Sequence, residues 1–305
     1  MGKMLNEIDE IAQRALDFQQ HVPEYKLPVH VPYLGMGSSW FAPLAFKYMG
    51  IPIFPEIASE FFNYQTSNDK LPNAVILSQS GRSSEAIWCT RLFEKYIAIT
   101  NSPENTLGKG AVEIIPLLAG NEQYSSSKTY INTLLALFKG FGFNTKQAVE
   151  LLVRKMPVYQ QLGEKMASEV FGLITRKQIH GIYIIGSGPN IATSFEASLI
   201  LSESTKLCFT GLPMAQYDHG PKETAANSIV FQIIAKGKSY ERALKISGML
   251  ANAGAHVIAV EEPEIEENLS VLHNIIPFNY MACYLAEKLN VTDTFLIGGK
   301  ITEIS

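Results

Sequence analysis

Short apolar runs alternate with amphipathic stretches along most of the chain. The run Ala74–Leu77 is branched and apolar, as in a strand that is buried on both faces of a parallel sheet. The following stretch, Glu85–Glu94, carries apolar residues at helical spacing. Comparable runs predict strands at 30–34, 51–54, 98–100, 112–117, 181–185, 206–209, 229–234, 256–260 and 275–276. Strands that alternate with helices in this way predict an α/β fold, with parallel sheets covered by helices on both faces.

The second half of this pattern repeats the layout of the first half. Each half opens with a strand, a Gly-x-Gly loop and a helix, around Gly35 in the first half and around Gly186 in the second. In each half a later strand leads into another polar loop, at Ser78 and at Lys236. We therefore expect a duplicated α/β unit. The predicted divisions are an N-terminal helix over 1–25, a first domain over 26–145, connecting helices over 146–180 that break at Pro157, a second domain over 181–290 and a tail over 291–305.

The most informative polar loop is Ser78-Gln-Ser-Gly-Arg-Ser-Ser84, which joins the strand at Ala74–Leu77 to the next helix. Such a loop directs hydroxyls and backbone N–H groups to one point at the positive end of a helix dipole, where an anion, and above all a phosphate, fits. Capping of the helix is the alternative role for these serines, and one serine suffices for a cap. Because four serines flank Gly81, the loop favours an anion site.

The two Gly-x-Gly loops also raise the possibility of a nicotinamide dinucleotide. The third small residue of that motif is missing, because Trp40 and Ile191 stand at its position. Glu56 lies about twenty residues after the first loop, where a ribose-binding acid belongs, but the second half has no such acid. We therefore expect no dinucleotide. The loops are expected to turn the chain tightly and to present hydroxyls, such as those of Ser38 and Ser39.

The composition narrows the classes of function. The chain has 305 residues, of which 47% are hydrophobic, with a net charge of −4 and a pI near 5.9. It has no basic run with interleaved aromatic residues, so we expect no nucleic-acid partner. It has neither an apolar signal core nor an apolar run near the roughly 20 residues of a membrane span, so we expect no membrane association.

The cysteines and histidines point to a reducing compartment without a metal. Cys89, Cys208 and Cys283 are odd in number and far apart, which indicates core residues in a cytoplasmic protein. The six histidines form no metal-ligand spacing. We therefore expect no metal and no other cofactor.

Several separate stretches together resemble one family, the sugar isomerase (SIS) domain proteins, and above all the isomerase half of glutamine–fructose-6-phosphate aminotransferases. The stretches are Gly37–Ser39, Glu56–Phe61, Ser78–Gly81, Ala119–Glu122 with Lys128, Glu203 with His219–Pro221, and Lys300. The resemblance extends from about residue 30 to residue 305. It implies two tandem SIS domains, each a flavodoxin-like parallel sheet flanked by helices.

The resemblance also implies the roles of individual residues. Glu203 is expected to move a proton between C1 and C2, His219 to assist ring opening from the neighbouring subunit of a homodimer, and Lys300 to form or adjoin a Schiff base. A carboxylate, a histidine and a lysine are the groups that such aldose–ketose chemistry needs. The predicted sugar-phosphate-binding residues are Ser38, Ser39, Ser78, Gln79, Ser80, Arg82, Ser83, Ser125 and Gly299.

Three departures from the family shape the predicted function. No glutaminase domain precedes the motifs, so glutamine-dependent synthesis is not expected. Ile200 stands where the aminotransferases have a lysine. Arg82 replaces the acid that usually follows the Ser-Gln-Ser-Gly motif, and we expect it to add phosphate affinity or to bind a second anionic group.

In its length and its two predicted SIS units, the chain resembles the stand-alone, isomerising glucosamine-6-phosphate deaminases. The predicted reaction is therefore release of ammonia from glucosamine 6-phosphate, which gives fructose 6-phosphate. The alternatives are deglycation of fructosamine 6-phosphates, phosphoglucose or phosphomannose isomerisation without amine chemistry, and non-catalytic sensing of a phosphosugar.

Overall fold

A computed structural model describes residues 2–65 and 69–297 of the chain. The strands are β1 (Pro32–Gly35), β2 (Phe54–Ile57), β3 (Leu71–Leu77), β4 (Phe93–Thr100), β5 (Glu113–Pro116), β6 (Ile182–Gly186), β7 (Thr210–Pro213), β8 (Ile229–Ile233) and β9 (His256–Val260). The helices are α1 (Gly2–Asp9), α2 (Ile11–His21), α3 (Ser38–Tyr48), α4 (Ala58–Tyr64), α5 (Ser84–Cys89), α6 (Thr106–Lys109), α7 (Lys128–Gly140), α8 (Lys146–Arg176), α9 (Asn190–Thr205), α10 (Met214–Asp218), α11 (Tyr240–Asn252), α12 (Val271–Asn274) and α13 (Ile276–Lys288). Short 3-10 turns lie at Thr90–Leu92 and Pro221–Thr224.

Within the described residues, the strands form two sheets. One has the order β2-β1-β3-β4-β5 and the other the order β7-β6-β8-β9, and every pair of neighbouring strands is parallel. The prediction of an α/β fold with parallel sheets is confirmed. In each sheet the order reverses once, between β1 and β3 and between β6 and β8, which is where open α/β sheets place their ligands.

The chain divides into two compact units, and each is interleaved in sequence. The first unit contains residues 2–9, 123–125 and 150–296, and the second contains residues 10–65, 69–122, 126–149 and 297. The core of the second unit includes Leu34 on β1 and Ile76 on β3, and that of the first unit includes Ile185 on β6 and Val230 on β8. Each sheet thus has its own apolar packing layer.

The same turn opens each unit's sheet. A Cβ on Gly35 would lie 2.5 Å from the carbonyl oxygen of Ser39, and a Cβ on Gly186 would overlap the carbonyl of Asn190. The second glycine of each loop has a positive φ, of 52° at Gly37 and 54° at Gly188. Both loops therefore need glycine to bring the strand end close to the next helix, as the sequence predicted.

The predicted strand at 206–209 is wrong, because α9 runs to Thr205 and Lys206 ends it in the left-handed conformation. The predicted strand at 275–276 is also wrong. Pro277 follows it at the start of α13, and proline is tolerated in the first turn of a helix.

Two further differences concern helix ends. The expected break at Pro157 is absent from α8, which runs through it as a single helix of 31 residues. Met156 and Tyr159 on either side of the proline are buried, and we infer that this packing offsets its cost of about 3 kcal/mol. The predicted helix at Glu85–Glu94 ends early, because α5 stops at Cys89 and β4 already begins at Phe93.

Helix α8 packs closely on α13, and we expect Gly163→Ala to measure this packing. An added Cβ would lie 2.5 Å from the Cβ of Tyr280 and 2.6 Å from the carbonyl oxygen of Pro277. Overpacking of this kind costs about 1–3 kcal/mol of unfolding free energy, which exceeds the roughly 1 kcal/mol that alanine gains over glycine in a helix. Thermal or urea denaturation checks the loss.

Gly172→Ala is the matched control in the same helix. No described atom lies within 4 Å of its Cβ position, so only the helix propensity changes and the variant should be more stable than the wild type. A destabilised Gly172→Ala protein, or an undiminished stability in Gly163→Ala, contradicts this account of the packing.

Candidate active site

A cavity of about 1130 Å³ lies in the second unit, at the carboxyl ends of β3, β4 and β5. Its volume is slightly above that of ordinary ligand pockets, which measure about 300–1,000 Å³. Helix α2 supplies one wall and the loops after the three strands supply the others. The lining residues are Arg14, Asp17, His21, Gln79, Ser80, Arg82, Asn101, Ser102, Glu104, Asn105, Leu118, Gly120, Asn121 and Glu122. Three residues of the predicted phosphate loop, Gln79, Ser80 and Arg82, are therefore part of the cavity wall.

The predicted phosphate loop, Ser78–Ser84, is shaped by its own hydroxyls. The N–H of Gly81 donates to the Oγ of Ser78 at 3.1 Å, and the N–H of Arg82 donates to the Oγ of Ser80 at 3.3 Å. The Ser78 hydroxyl also lies 3.3 Å from that of Ser83. Ser78 is buried, whereas Ser80 is half-buried and Arg82 is exposed. Ser78 therefore shapes the turn, while Ser80 and Arg82 face the side on which a ligand has room.

The helix after this loop is shorter than the sequence suggested. Helix α5 has only six residues, Ser84–Cys89, and continues as a 3-10 turn. A macrodipole sums over aligned peptide units, so a helix of this length contributes little to anion binding. The loop's polarity therefore rests mainly on its hydroxyls, amides and Arg82.

Asn105, which follows β4 and caps α6, fixes the conformation of the predicted phosphate loop. Its Nδ2 donates to the carbonyl of Ser80 at 3.1 Å and to the hydroxyl of Thr100 at 2.6 Å. Its Oδ1 accepts the N–H of Gly108 at 2.8 Å, which caps α6. Gly81 has a φ of 59°, and a Cβ there would overlap the Asn105 side chain. The loop geometry thus depends on a glycine at 81 and an asparagine at 105.

Asn101 joins the ends of three strands. Its N–H donates to the carbonyl of Gln79 at 3.1 Å. Its side chain donates to the carbonyl of Gly120 at 2.5 Å and accepts the N–H of Ala119 at 2.9 Å. Neither Asn101 nor Asn105 is among the residues predicted from the sequence. Polar residues directly after the β4 strand were the available signal, since parallel strands end at one edge of the sheet.

An ion pair between a buried lysine and a half-exposed glutamate fixes the wall formed by α2. The Lys128 ammonium is almost fully buried and lies 2.8 Å from Oε2 of Glu10. The same carboxylate accepts from Arg14 at 3.2 Å, and Arg14 also lies 3.8 Å from Asp17. The hydrogen bond from Lys128 is the main cause that lowers the pKa of Glu10. Lys128, which the family motif singled out, thus holds α2 and the cavity-lining Arg14 in place.

Glu122 organises the start of α7. Its Oε1 accepts the N–H and the hydroxyl of Ser127, at 3.0 and 2.9 Å, and the N–H of Thr129 at 3.3 Å. Burial raises the pKa of this carboxyl, and the hydrogen bonds oppose the increase. Glu122 therefore fixes the loop that forms the far side of the cavity.

The remaining predicted residues of the second unit are Ser38 and Ser39. They are the first two residues of α3, after the left-handed Gly37, and both are half-buried. They lie outside the lining of the cavity described above. They do stand at the carboxyl end of β1, beside the point where the sheet order reverses.

The predicted catalytic residues within the described chain belong to the first unit. Glu203 lies on the last turn of α9 and is half-buried. Ser125 is buried beside that turn, with its Oγ 2.8 Å from the Oγ of Ser204. His219 ends α10 and is exposed. The predicted Gly299 and Lys300 lie outside the described residues.

Neither a metal-binding cluster nor a membrane-spanning helix is found in the described part of the chain. No group of three or more His, Cys, Asp or Glu side chains in residues 2–65 and 69–297 is arranged to hold a metal ion. Across the same residues, no helix is both long enough and apolar enough to cross a membrane.

Sequence comparison relates the chain to glutamine–fructose-6-phosphate aminotransferases. It is 25% identical over 281 residues to the enzyme of Sulfolobus acidocaldarius and 26% identical over 292 residues to that of Thermococcus kodakarensis. These matches cover 84% and 83% of this chain but 45% and 48% of the relatives. The chain therefore spans about half the length of the curated relatives that it matches. No family model matches it.

Structure comparison gives the same fold. The C-terminal domain of the Francisella tularensis glucosamine-fructose-6-phosphate aminotransferase superimposes with a TM-score of 0.77 at 16% identity and covers 94% of this chain and 96% of its own. Glucosamine-6-phosphate deaminase from Thermotoga maritima has a TM-score of 0.72 at 18% identity, with 96% of both chains covered. Tagatose-6-phosphate ketose/aldose isomerase from Escherichia coli has a TM-score of 0.69 at 14% identity, with 96% of this chain and 90% of its own covered. The resemblance that the motifs predicted, to the SIS proteins and above all to the isomerase half of glutamine–fructose-6-phosphate aminotransferases, is thereby confirmed.

Proposed function

We propose that this protein is a sugar-phosphate isomerase of the SIS type and that it releases ammonia from glucosamine 6-phosphate. The observation that carries the proposal is the polar cavity at the carboxyl ends of β3–β5, with Gln79, Ser80 and Arg82 of the phosphate loop in its wall. The similarity to the aminotransferases over more than four-fifths of the chain supports the same class of substrate.

In this proposal, one set of residues binds the phosphate and another residue transfers the proton. Ser80, the amides of the loop and Arg82 bind the phosphate through hydrogen bonds and charge. Glu203 takes the proton from C2 of the open-chain amino sugar and returns it to C1, which converts the amine at C2 into an imine. Water then adds to the imine and ammonia leaves, so that fructose 6-phosphate is formed. This sequence consumes only the sugar phosphate and water, whereas synthesis of the amino sugar needs a source of ammonia.

Three parts of the proposal rest on the resemblance. The chain consists of two tandem SIS domains, with the boundaries predicted from the sequence. His219 assists ring opening and is supplied by the second copy in a homodimer, and its exposure at the end of α10 suits that role. Lys300 forms or adjoins the Schiff base with the open-chain ketose.

The proposed activity is tested by a screen of purified protein against glucosamine 6-phosphate, fructosamine 6-phosphates, glucose 6-phosphate and mannose 6-phosphate, with assays for ammonia and for ketose. Ammonia and fructose 6-phosphate from the first substrate support the proposal. Release of a substituted amine assigns deglycation, and aldose–ketose conversion without amine release assigns a plain isomerase. Binding without turnover of any substrate assigns a phosphosugar sensor.

Ser80→Ala should weaken substrate binding more than catalysis. A hydrogen bond to a charged group is worth about 1.5–3 kcal/mol, so KM should rise about 10- to 100-fold while kcat changes little. Inhibition by inorganic phosphate should weaken by a similar factor. Ser84→Ala is the matched control, because Ser84 lies in the same loop but is buried and does not line the cavity. Equal KM values for the Ser80→Ala and Ser84→Ala proteins would place the phosphate elsewhere.

Glu203→Gln should abolish proton transfer and leave binding intact. General acid–base groups contribute about 10²- to 10⁴-fold to the rate, and we expect kcat to fall about 10³-fold. Affinity for the sugar phosphate, measured by calorimetry, should stay within a factor of about two to three. Glu241→Gln, an exposed change of the same kind in the first turn of α11, is the control. An active Glu203→Gln enzyme would remove Glu203 from the mechanism.

A further inference from the structure

Lys206 ends α9, three residues after Glu203, in an unusual backbone conformation. Its φ is 64° and its ψ is 12°, and its N–H donates to the carbonyl of Ser202 at 3.1 Å. This left-handed conformation closes many helices, but the residue there is usually glycine, because a Cβ is disfavoured in it. Because the backbone is strained at this lysine, we infer that the side chain has a structural or functional role.

The Lys206 side chain bridges two main-chain carbonyls. Its ammonium donates to the carbonyl of Glu203 at 2.5 Å and also to the carbonyl of Thr294. Hydrogen bonds from an ammonium are stronger than those from a neutral donor, because the ammonium is charged. The first carbonyl belongs to the turn that carries the proposed base, and the second lies beyond α13 in the carboxyl-terminal segment, which we define as residues 291–296.

Other contacts already hold the turn of α9. Ser204 is buried against Ser125, with the two hydroxyls 2.8 Å apart. The Oγ of Ser202 accepts the N–H of Phe209 at 3.2 Å, and the hydroxyl of Thr205 donates to the carbonyl of Leu201 at 2.6 Å. The turn therefore has its own support without Lys206. The bond to Thr294 instead secures the carboxyl-terminal segment to this turn.

We propose that Lys206 is a positioning residue that fixes the carboxyl-terminal segment against the turn of Glu203. Its catalytic consequence rests on the proposed function, because it concerns the base of that reaction. The ammonium that holds the segment also binds the main-chain carbonyl of Glu203. Loss of the Lys206 side chain therefore removes one of the contacts of this turn and releases the segment from it. A small displacement of a reacting group lowers the catalytic rate more than it weakens substrate binding.

Lys206→Gly separates this role from a purely structural one. Glycine relieves the left-handed strain, so Tm should stay equal or rise, while kcat should fall about 10-fold and KM should stay within about two-fold. Lys206→Arg keeps donors for both carbonyls and should retain most of kcat. Asn227→Gly is the control for strain relief alone, because Asn227 also has a left-handed φ of 59°, and its kcat should not change.

Hydrogen–deuterium exchange tests the contact without any need for activity. Amides of residues 291–296 should exchange faster in Lys206→Gly than in the wild type, and Lys206→Arg should restore their protection. Unchanged exchange in Lys206→Gly overturns the proposed contact. Faster exchange with unchanged kcat overturns the positioning role. Faster exchange in a protein whose wild type has no turnover refutes the proposed function and leaves the contact itself supported.

Discussion

The geometry of the candidate site depends on the close approach of Gly81 and Asn105. The positive φ of Gly81 lets the loop after β3 turn tightly. The Asn105 side chain occupies the space that a Cβ at this position would fill. That side chain holds the carbonyl of Ser80, the hydroxyl of Thr100 and the start of α6 at once. The candidate binding loop is thus made rigid by one amide in the segment after β4, which lowers the conformational entropy that a ligand would have to overcome.

The same constraint explains which parts of the site the sequence could predict. The serines around Gly81 were predictable, because a strand, a hydroxyl-rich loop and a helix leave a local signature. Asn101 and Asn105 were not recognised, since their partners lie on other strands and the contacts appear only when the sheet is assembled. The short length of α5 was missed for a related reason. The helical spacing of apolar residues continues to Phe93, although β4 already begins at that residue.

The fold itself was largely predictable, and its errors have local causes. Alternating apolar runs predicted the parallel α/β architecture, and the repeated Gly-x-Gly turns reflected real constraints at Gly35 and Gly186. Strands were misplaced where an apolar run belonged to a helix, as before Pro277, or where the chain leaves a helix through a left-handed residue, as at Lys206. Ile200, a departure from the aminotransferases, is fully buried in α9, so an apolar residue suits this position in the fold.

Under the proposed function, this chain moves a proton on a phosphorylated sugar and does not merely bind it. The most direct measurement is NMR of fructose 6-phosphate and of glucosamine 6-phosphate in D₂O with purified protein. A carboxylate base that exchanges with solvent predicts loss of the C1 or C2 proton signals and incorporation of deuterium at catalytic protein concentrations. Stable signals from both sugars, under conditions where calorimetry shows that they bind, would contradict the claim.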